Sequence, residues 1–260
     1  MRFVEKMKTV AAKPGTAHLY WIGQAGFAVK TAGGKTILID PYLSDSVYEQ
    51  TKAELGLAFK RVAPPLFEPD ELEADVILCS HEHEDHVDQD SIAALAKGAA
   101  STVYTNPASV PVAVKAGVPE RKIKTIVRGD ELGFGEFKLS VLAAQHGGGC
   151  PEALGFILDF GFSKIYYSGD TSYDLELLAP ALAAKPEVAL LPINGAFGNL
   201  NSAEAARLSN DLRSKACVPH HFWTMPYHLG SPIEFIEAMP KLSPNCEPLV
   251  LTPGELYVVK

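Results

Sequence analysis

The sequence predicts an α/β fold in which two β-sheets pack together and helices cover them. Short strand-like runs separated by glycine-bearing turns dominate the beginning of each half of the chain, and helical segments follow them in each half. Hydrophobic residues make up 47% of the 260 residues, so the chain can bury a large core. No repeat, low-complexity tract or linker interrupts the sequence, and we therefore expect a single domain over residues 1–260.

The N-terminal third predicts strands joined by tight turns. Its β-type runs are His18–Gly23, Gly26–Thr31 and Lys35–Asp40. Residues 44–70 follow as an irregular segment. A loop of this length in a compact domain is often functional, for example as a lid over a site. A plain surface excursion with a short helix at Lys52–Phe59 is an equal alternative.

The apolar run Ala74–Cys79 predicts a buried strand that leads directly into a cluster of histidines. A short helix is expected at Asp90–Gly98, which has an acidic start and a glycine stop. Further strands are expected at Ser101–Asn106, Lys124–Gly129, Phe137–His146, Gly155–Phe160, Lys164–Gly169, Val188–Pro192 and Ala216–Pro219, and further helices at Asp174–Ala184 and Ala203–Leu212.

The composition of the chain argues against some classes of binding partner. The formal charge of -8, from 23 basic and 31 acidic residues, argues against a nucleic-acid surface, which needs clustered Lys and Arg. No apolar run reaches the ~20 residues that span a membrane, and the N-terminus lacks a signal-peptide pattern, so we expect a cytoplasmic protein. The four cysteines are scattered, which favours buried thiols over disulfides. A small-molecule substrate remains the natural partner, and a homo-oligomer is compatible with the sequence.

Four metal-binding side chains occur within six residues, directly after the predicted strand at Ala74–Cys79. They are His81, His83, Asp85 and His86. Imidazole and carboxylate groups are the usual ligands of zinc, manganese and iron. Four ligands from one segment exceed what a single structural site needs, and they suit two adjacent metals that share a solvent molecule.

Three other interpretations of this segment are weaker. A solvated loop would not be expected directly after an apolar strand. The zincin helix HExxH fails because Asp85 stands four residues after His81. A zinc finger would need a nearby cysteine pair, which the sequence lacks.

Three distant residues also follow apolar strand-like runs: His146, Asp170 and His221. Strand ends are where such folds usually carry their chemistry. Each residue alone is more often structural, but the combination in this order is a much stronger signal.

These residues carry a resemblance to the metallo-β-lactamase fold superfamily. The motif series appears as Ser80–His86, then His146, then Ser168-Gly169-Asp170, then Pro219-His220-His221, with Ser80 where the family more often has Thr. The stretch from Tyr20 to Asp45 and the run LPINGAFGNLNSAEAA resemble the branch that contains L-ascorbate-6-phosphate lactonase and related uncharacterised metal-dependent hydrolases.

The resemblance implies a four-layer αββα sandwich with two divalent metal ions, zinc or manganese, with iron as a further option. By motif position, one ion would be held by His81, His83 and His146, and the second by Asp85, His86 and His221. Asp170 would bridge the two ions. The resemblance also selects His221 over its neighbour His220.

This ligand set implies a hydrolase that attacks its substrate with a bridging hydroxide, since two cations lower the pKa of a shared water. Asp85 would be catalytic by orienting the attacking water. The expected substrate is a small, anionic lactone or ester. Alternatives are a phosphodiesterase on the same centre, a non-catalytic metal-binding or sensor protein, and an iron oxidoreductase, against which the lack of a flavin domain counts.

Four further residues have hypothetical roles. Asp40 and Asn194 are candidates for fixing ligand imidazoles, with ordinary turn capping as an equal alternative. Lys60 and Arg61, in the long loop before the histidines, are candidates for recruiting an anionic substrate.

Overall fold

The computed structural model describes residues 1–56, 60–147, 149–226 and 228–260 of the chain. The chain forms two compact units. The first consists of Met1–Ile126, Trp223–Tyr227 and Thr252–Val258, and the second consists of Val127–Phe222, His228–Leu251 and Val259–Lys260. The expectation of a single domain stays a prediction.

A seven-stranded mixed sheet forms the centre of the first unit. Its strands are β1 (Ala17–Gly23), β2 (Gly26–Lys30), β3 (Thr36–Ile39), β4 (Val76–Cys79), β5 (Thr102–Thr105), β6 (Ile123–Thr125) and β14 (Leu256–Val259), in the order β14-β1-β2-β3-β4-β5-β6. Strands β1 to β3 run antiparallel, and β3 to β6 run parallel. The helices of this unit are α1 (Phe3–Thr9), α2 (Ser46–Leu55), α3 (Ile92–Leu95) and α4 (Val110–Lys115).

The second unit also has a seven-stranded mixed sheet. Its strands are β7 (Glu131–Gly133), β8 (Lys138–Ala143), β9 (Leu154–Asp159), β10 (Lys164–Tyr167), β11 (Val188–Pro192), β12 (Ala216–His220) and β13 (Glu247–Pro248), in the order β13-β12-β11-β10-β9-β8-β7. Strands β7 to β10 run antiparallel, and β10 to β13 run parallel. The helices are α5 (Ala179–Ala184), α6 (Ser202–Asp211) and α7 (Pro232–Leu242).

Most of the predicted strands are confirmed because their apolar runs are buried in the sheets. Every residue of β1, β3 and β4 in the first unit, and of β11 and β12 in the second, is buried. Strands that are buried on both faces have no solvent face, so a largely apolar run marks them in the sequence. All four cysteines are buried free thiols, as expected.

Three of the predicted elements outside the segment 44–70 differ most from the structure. The helix expected at Asp174–Ala184 begins only at Ala179, because Pro180 is tolerated in the first turn of a helix and not in its interior. The strand expected at Lys124–Gly129 ends at Thr125 and gives way to a turn with Gly129 at φ 91°. The predicted helix at Asp90–Gly98 is shorter, at Ile92–Leu95.

The segment 44–70 contains helix α2, which starts earlier than the short helix considered for it. Residues 57–59 of that expected helix lie outside the described residues. None of the helices that the structure describes combines the length and apolar character needed to cross a membrane.

The parallel strands place polar segments at their carboxyl ends, where open α/β sheets carry their sites. In the first unit, Asp40 follows β3 and Ser80 follows β4. In the second unit, Ser168 follows β10 and His221 follows β12. Each unit thus brings its predicted site residues to one edge of its own sheet.

A buried carboxylate, Asp88, fixes the segment after β3 to the segment after β4. Its Oδ2 atom accepts hydrogen bonds from the main-chain N–H groups of Leu43 (2.8 Å) and Ser44 (2.9 Å), and its Oδ1 atom accepts from the Ser44 hydroxyl (2.5 Å). Asp88 is fully buried, so no water molecule could accept these hydrogen bonds in place of its carboxylate. The sequence contained no signal for this role.

We therefore predict that Asp88→Ala lowers the free energy of unfolding by about 3 kcal/mol, because it leaves the buried Leu43 N–H and the part-buried Ser44 N–H without their acceptor. The matched control is Asp90→Ala, whose exposed carboxylate is two residues away. Chemical denaturation of both variants measures the difference. Equal stabilities would show that Asp88 does not anchor this segment.

Candidate metal centre

The predicted histidine segment forms a compact cluster in the first unit, in the turn after β4. His81 and His86 are fully buried, and their ring centroids lie 4.0 Å apart. His81 Nε2 lies 2.9 Å from His83 Nδ1, and His86 Nε2 lies 3.7 Å from Asp85 Oδ2. All four predicted ligands of this segment therefore come together, in two pairs.

Asp40 lies behind this cluster and orients it. Its carboxylate accepts hydrogen bonds from the Ser80 N–H group (2.7 Å) and the Ser80 hydroxyl (2.5 Å), and it lies 2.5 Å from His86 Nδ1. Since an ionised carboxylate only accepts hydrogen bonds, His86 Nδ1 carries the proton, and Nε2 presents its lone pair. This geometry supports the hypothesis that Asp40 fixes a ligand imidazole.

Ser80, which is held by Asp40, in turn fixes the orientation of the His81 ring. Its hydroxyl has a single proton, which it donates to Asp40, and its oxygen lies 3.0 Å from His81 Nδ1. The oxygen therefore accepts from His81 Nδ1, which leaves the Nε2 lone pair of His81 directed toward His83. A threonine hydroxyl would serve equally, so Ser80 is a conservative departure from the motif.

Gln24 holds the Asp85 carboxylate, a role that sequence reasoning missed. Its Nε2 atom donates to Asp85 Oδ2 at 2.8 Å. The Gln24 side chain is fully buried, and its backbone has a positive φ of 51°. The Trp21 indole donates to the Gln24 carbonyl (2.9 Å), and the Gln24 N–H donates to the Thr224 hydroxyl (2.8 Å). These contacts give Asp85 a fixed orientation.

The second unit brings together its own three predicted ligands, His146, Asp170 and His221. Asp170 Oδ2 lies 3.8 Å from His146 Nε2 and 3.2 Å from His221 Nε2. All three residues are buried. Asn199 donates from Nδ2 to the same oxygen at 2.7 Å. One carboxylate oxygen therefore lies beside two imidazoles and is held by a neutral amide.

The spacing within each unit fits metal binding. Two ligand atoms bound at about 2.0–2.1 Å to one tetrahedral ion lie about 3.3 Å apart. The pairs His81–His83, Asp85–His86, His146–Asp170 and His221–Asp170 have separations of 2.9, 3.7, 3.8 and 3.2 Å. The donors are nitrogen and carboxylate oxygen, which bind zinc, manganese and iron. The residues present therefore fit the expected ions.

The two adjacent histidines of the second unit have different surroundings. His220 is the last residue of β12, is fully buried and stacks on Tyr167 at a centroid distance of 5.3 Å. His221 lies beyond the strand with a φ of 65°, and it approaches Asp170. The positive φ turns the chain, so the two rings point to different surroundings. This supports His221 as the ligand.

Other residues around the candidate ligands of the second unit had no signal in the sequence. Asn199 was missed because the neighbouring Asn194 was chosen as the candidate. Asn194 instead donates to the Ala196 carbonyl at 3.4 Å, a local turn contact. His228 is buried, and its ring centroid lies 4.5 Å from that of His221. Cys150 is buried, with its sulfur within 4.8 Å of a ring nitrogen of His146.

We predict that Asp40→Asn weakens binding of the ion held by His86 by about 10–100-fold, since an amide cannot accept from all three donors that surround Asp40. Asp75→Asn is the control, because Asp75 accepts a hydrogen bond from Thr36 in the same sheet but at the opposite end of the strands. Competitive metal titration with a chelator measures the affinity. Unchanged affinity in Asp40→Asn would remove this orienting role.

We predict that His221→Ala lowers metal occupancy at the expected second site, whereas His220→Ala retains it. The first variant removes a nitrogen 3.2 Å from Asp170, and the second removes a ring that stacks on Tyr167. Elemental analysis of both folded variants after metal loading is the measurement. The opposite pattern of loss would reverse the assignment.

Comparison with known proteins places this chain in a family. A family model described as "Beta-lactamase superfamily domain" matches residues 18–221. A UPF0173 metal-dependent hydrolase of Caldivirga maquilingensis is 31% identical over 92% of this chain and 96% of its own length. Another from Rubrobacter xylanophilus is 33% identical over 93% of this chain and 96% of its own length.

Solved structures share the fold. A metallo hydrolase from the archaeon Ignicoccus hospitalis has a TM-score of 0.71 and 22% identity, covering 94% of this chain and 99% of its own. An isothiocyanate hydrolase from Delia radicum gut bacteria has a TM-score of 0.75 and 21% identity, covering 92% of this chain and 98% of its own. The α/β fold of the metallo-β-lactamase type, with two mixed sheets and flanking helices, is confirmed. The chain belongs to the β-lactamase superfamily, and its relatives there are named metal-dependent hydrolases.

Proposed function

We propose that this protein is a hydrolase that uses two divalent metal ions to cleave a small, anionic lactone or ester. His81, His83 and His146 would hold one ion, and Asp85, His86 and His221 would hold the other. Asp170 would contact both. The observation that carries the proposal is the position of Asp170 Oδ2, 3.8 Å from His146 and 3.2 Å from His221. A carboxylate that bridges two ions is expected to lie beside an imidazole ligand of each.

When bound, two such ions supply an activated solvent nucleophile at neutral pH and polarise the scissile bond. The residues of the chain determine how this chemistry is oriented. Asp85 is held at one oxygen by the Gln24 amide, 2.8 Å away. Its carboxylate is therefore fixed in position to accept a hydrogen bond from the attacking solvent. This is the catalytic role that we propose for Asp85.

The partners of the ligands keep them ready to bind metal. Asp40 and Ser80 hold the Nδ1 protons of His86 and His81, so that both rings present Nε2. Asn199 donates to Asp170 without adding charge, which leaves the carboxylate negative and available to cations. Rings that are already oriented lose little conformational entropy when they bind an ion.

The preference for a lactone or ester rests on the resemblance to the ascorbate-phosphate lactonase branch, which is an argument by analogy. A phosphodiester is the alternative substrate for the same centre. A non-catalytic metal-binding or sensor protein is the alternative to enzymatic activity. Zinc and manganese are the proposed ions, with iron as a further option, because nitrogen and carboxylate donors bind all three.

The deciding experiment is metal analysis followed by a substrate screen. We expect about two ions per chain at saturation, and hydrolysis of lactones or carboxylic esters by the loaded protein in preference to phosphodiesters. Allyl isothiocyanate belongs in the screen, because a protein of the same fold is described as an isothiocyanate hydrolase. Saturation at one ion would defeat the two-metal proposal. Two bound ions without turnover of any of these substrates would favour the sensor alternative.

We predict that Asp170→Ala loses most of the activity and at least part of the bound metal, whereas Asp174→Ala keeps both. Asp170 is the shared ligand. Asp174 is four residues further along and caps a turn by accepting from the N–H groups of Glu176 and Leu177, both at 3.1 Å. The readouts are kcat/KM and elemental analysis on folded protein. Similar values in the two variants would exclude Asp170 from the centre.

A further inference from the structure

Arg61, in the irregular segment after α2, has a guanidinium group held in one orientation. Its Nη1 atom donates to the Tyr42 carbonyl at 2.8 Å, and its Nε atom donates to the Ala63 carbonyl at 3.3 Å. The group also lies over the Tyr42 ring, 5.0 Å from the centroid. These contacts use the Nε and Nη1 donors and one face of the guanidinium, and no hydrogen bond from Nη2 is found among the described residues.

The positive charge of Arg61 is not matched by an ion pair. Among the described residues, no carboxylate oxygen lies within 4.0 Å of the guanidinium nitrogens, the distance that defines an ion pair. None of these residues accepts a hydrogen bond from Nη2. The nearest charges, Asp45 and Asp88, act only at longer range, and Asp88 is engaged by other donors. Burial lowers the pKa of Arg61, so its surroundings disfavour the cation. Arg61 is half-buried, and a half-buried cation without an ion-pair partner among the described residues gains electrostatic energy when an anion binds to it.

Two contacts connect Arg61 to the proposed centre within the first unit. Nη2 lies 3.7 Å from the position that a Cβ atom on Gly23 would occupy, and the next residue is Gln24, which holds Asp85. Thr224 joins the two segments, since its carbonyl accepts from Val62 N–H (2.9 Å) and its hydroxyl accepts from Gln24 N–H.

Tyr42, over whose ring this guanidinium lies, is buried. Burial and the negative charge of Asp85 both raise the pKa of the Tyr42 phenol. The guanidinium that lies over the Tyr42 ring also lies beside Gly23, one residue before the Gln24 that holds Asp85, and it brings positive charge to that position. A glycine at position 23 keeps the space next to Nη2 clear of a side chain.

We propose that Arg61 forms an anion-binding subsite in which the Nη2 end of its guanidinium binds a carboxylate or phosphate group of the substrate beside Asp85. Because Nε and Nη1 each donate to a carbonyl, Nη2 supplies the donors for an anion, and its N–H groups share the positive charge of the planar guanidinium. This inference rests on the proposed function, because it assigns an anionic group to the substrate of that centre.

The neighbouring Lys60 does not share these properties. It is exposed, and its ammonium group lies over the Tyr48 ring, 4.9 Å from the centroid. An exposed ammonium is solvated and screened by salt, so it would contribute little to a specific subsite. Lys60 therefore serves as a matched control, with the same charge one residue away.

The test is isothermal titration calorimetry of metal-loaded protein with inorganic phosphate and, separately, with succinate. We expect at least tenfold weaker binding of one or both anions to Arg61→Gln, intermediate binding to Arg61→Lys, and less than a twofold change in Lys60→Gln. The anion that loses more affinity identifies the preferred group. Unchanged binding to Arg61→Gln, or no binding of either anion to the wild-type protein, would overturn the proposal.

Metal content and thermal unfolding of each variant separate this inference from the proposed function. Should Arg61→Gln lose metal or fold poorly, Arg61→Lys decides, since it keeps the charge but not the fork of donors. A pair of esters with and without a carboxylate gives a second readout. We expect Arg61→Gln to lower kcat/KM about tenfold for the anionic ester and to leave the neutral ester unchanged. Equal losses for both esters would contradict a subsite for the anion, and a wild-type protein inactive on both would count against the proposed hydrolase instead.

Discussion

The hydrogen bonds to the Asp40 carboxylate are the interaction on which the rest of the first ligand set depends. Asp40 is fully buried at the end of β3, and it connects that strand to Ser80 and His86 after β4. A buried carboxylate is costly unless its oxygens are hydrogen-bonded, and here each oxygen accepts at least one donor. Through Ser80 the same carboxylate also sets the orientation of His81, so one anion determines which nitrogen two histidines present.

Three of the seven non-glycine residues with positive φ in the described part of the chain belong to the candidate site. Gln24, Asp40 and His221 all have positive φ values of 51°, 42° and 65°, although none is a glycine. Such conformations cost of order 1–3 kcal/mol each and persist where the surroundings enforce them. Fully buried strands next to each of these turns supply that enforcement. The strain turns side chains away from the strand direction, which a regular extended chain could not do.

Both units use the same construction, in which a ligand is held by a polar residue from a distant part of the sequence. Asp40 orients His86, Gln24 holds Asp85, and Asn199 holds Asp170. The two amide donors are neutral, so they fix a carboxylate without cancelling its charge. Arg61 differs from these residues because its charge has no ion-pair partner among the described residues. Asp40, Gln24 and Asn199 orient candidate ligands, whereas Arg61 is suited to bind an anion of the substrate.

The sequence alone predicted most of the strands, although not β7, β13 or β14. It also predicted the histidine segment and the three distant candidate ligands, because apolar runs mark buried strands and the candidate ligands follow the strand ends. It also favoured His221 over His220. Tertiary structure alone decided the partners of those ligands: Gln24 on Asp85, Asn199 instead of Asn194 near Asp170, and Asp88 on the segment after β3. It also distinguished Arg61 from Lys60. Amide and guanidinium donors act here through contacts between segments far apart in the chain, and such contacts leave no local pattern of residue types from which their partners could be read.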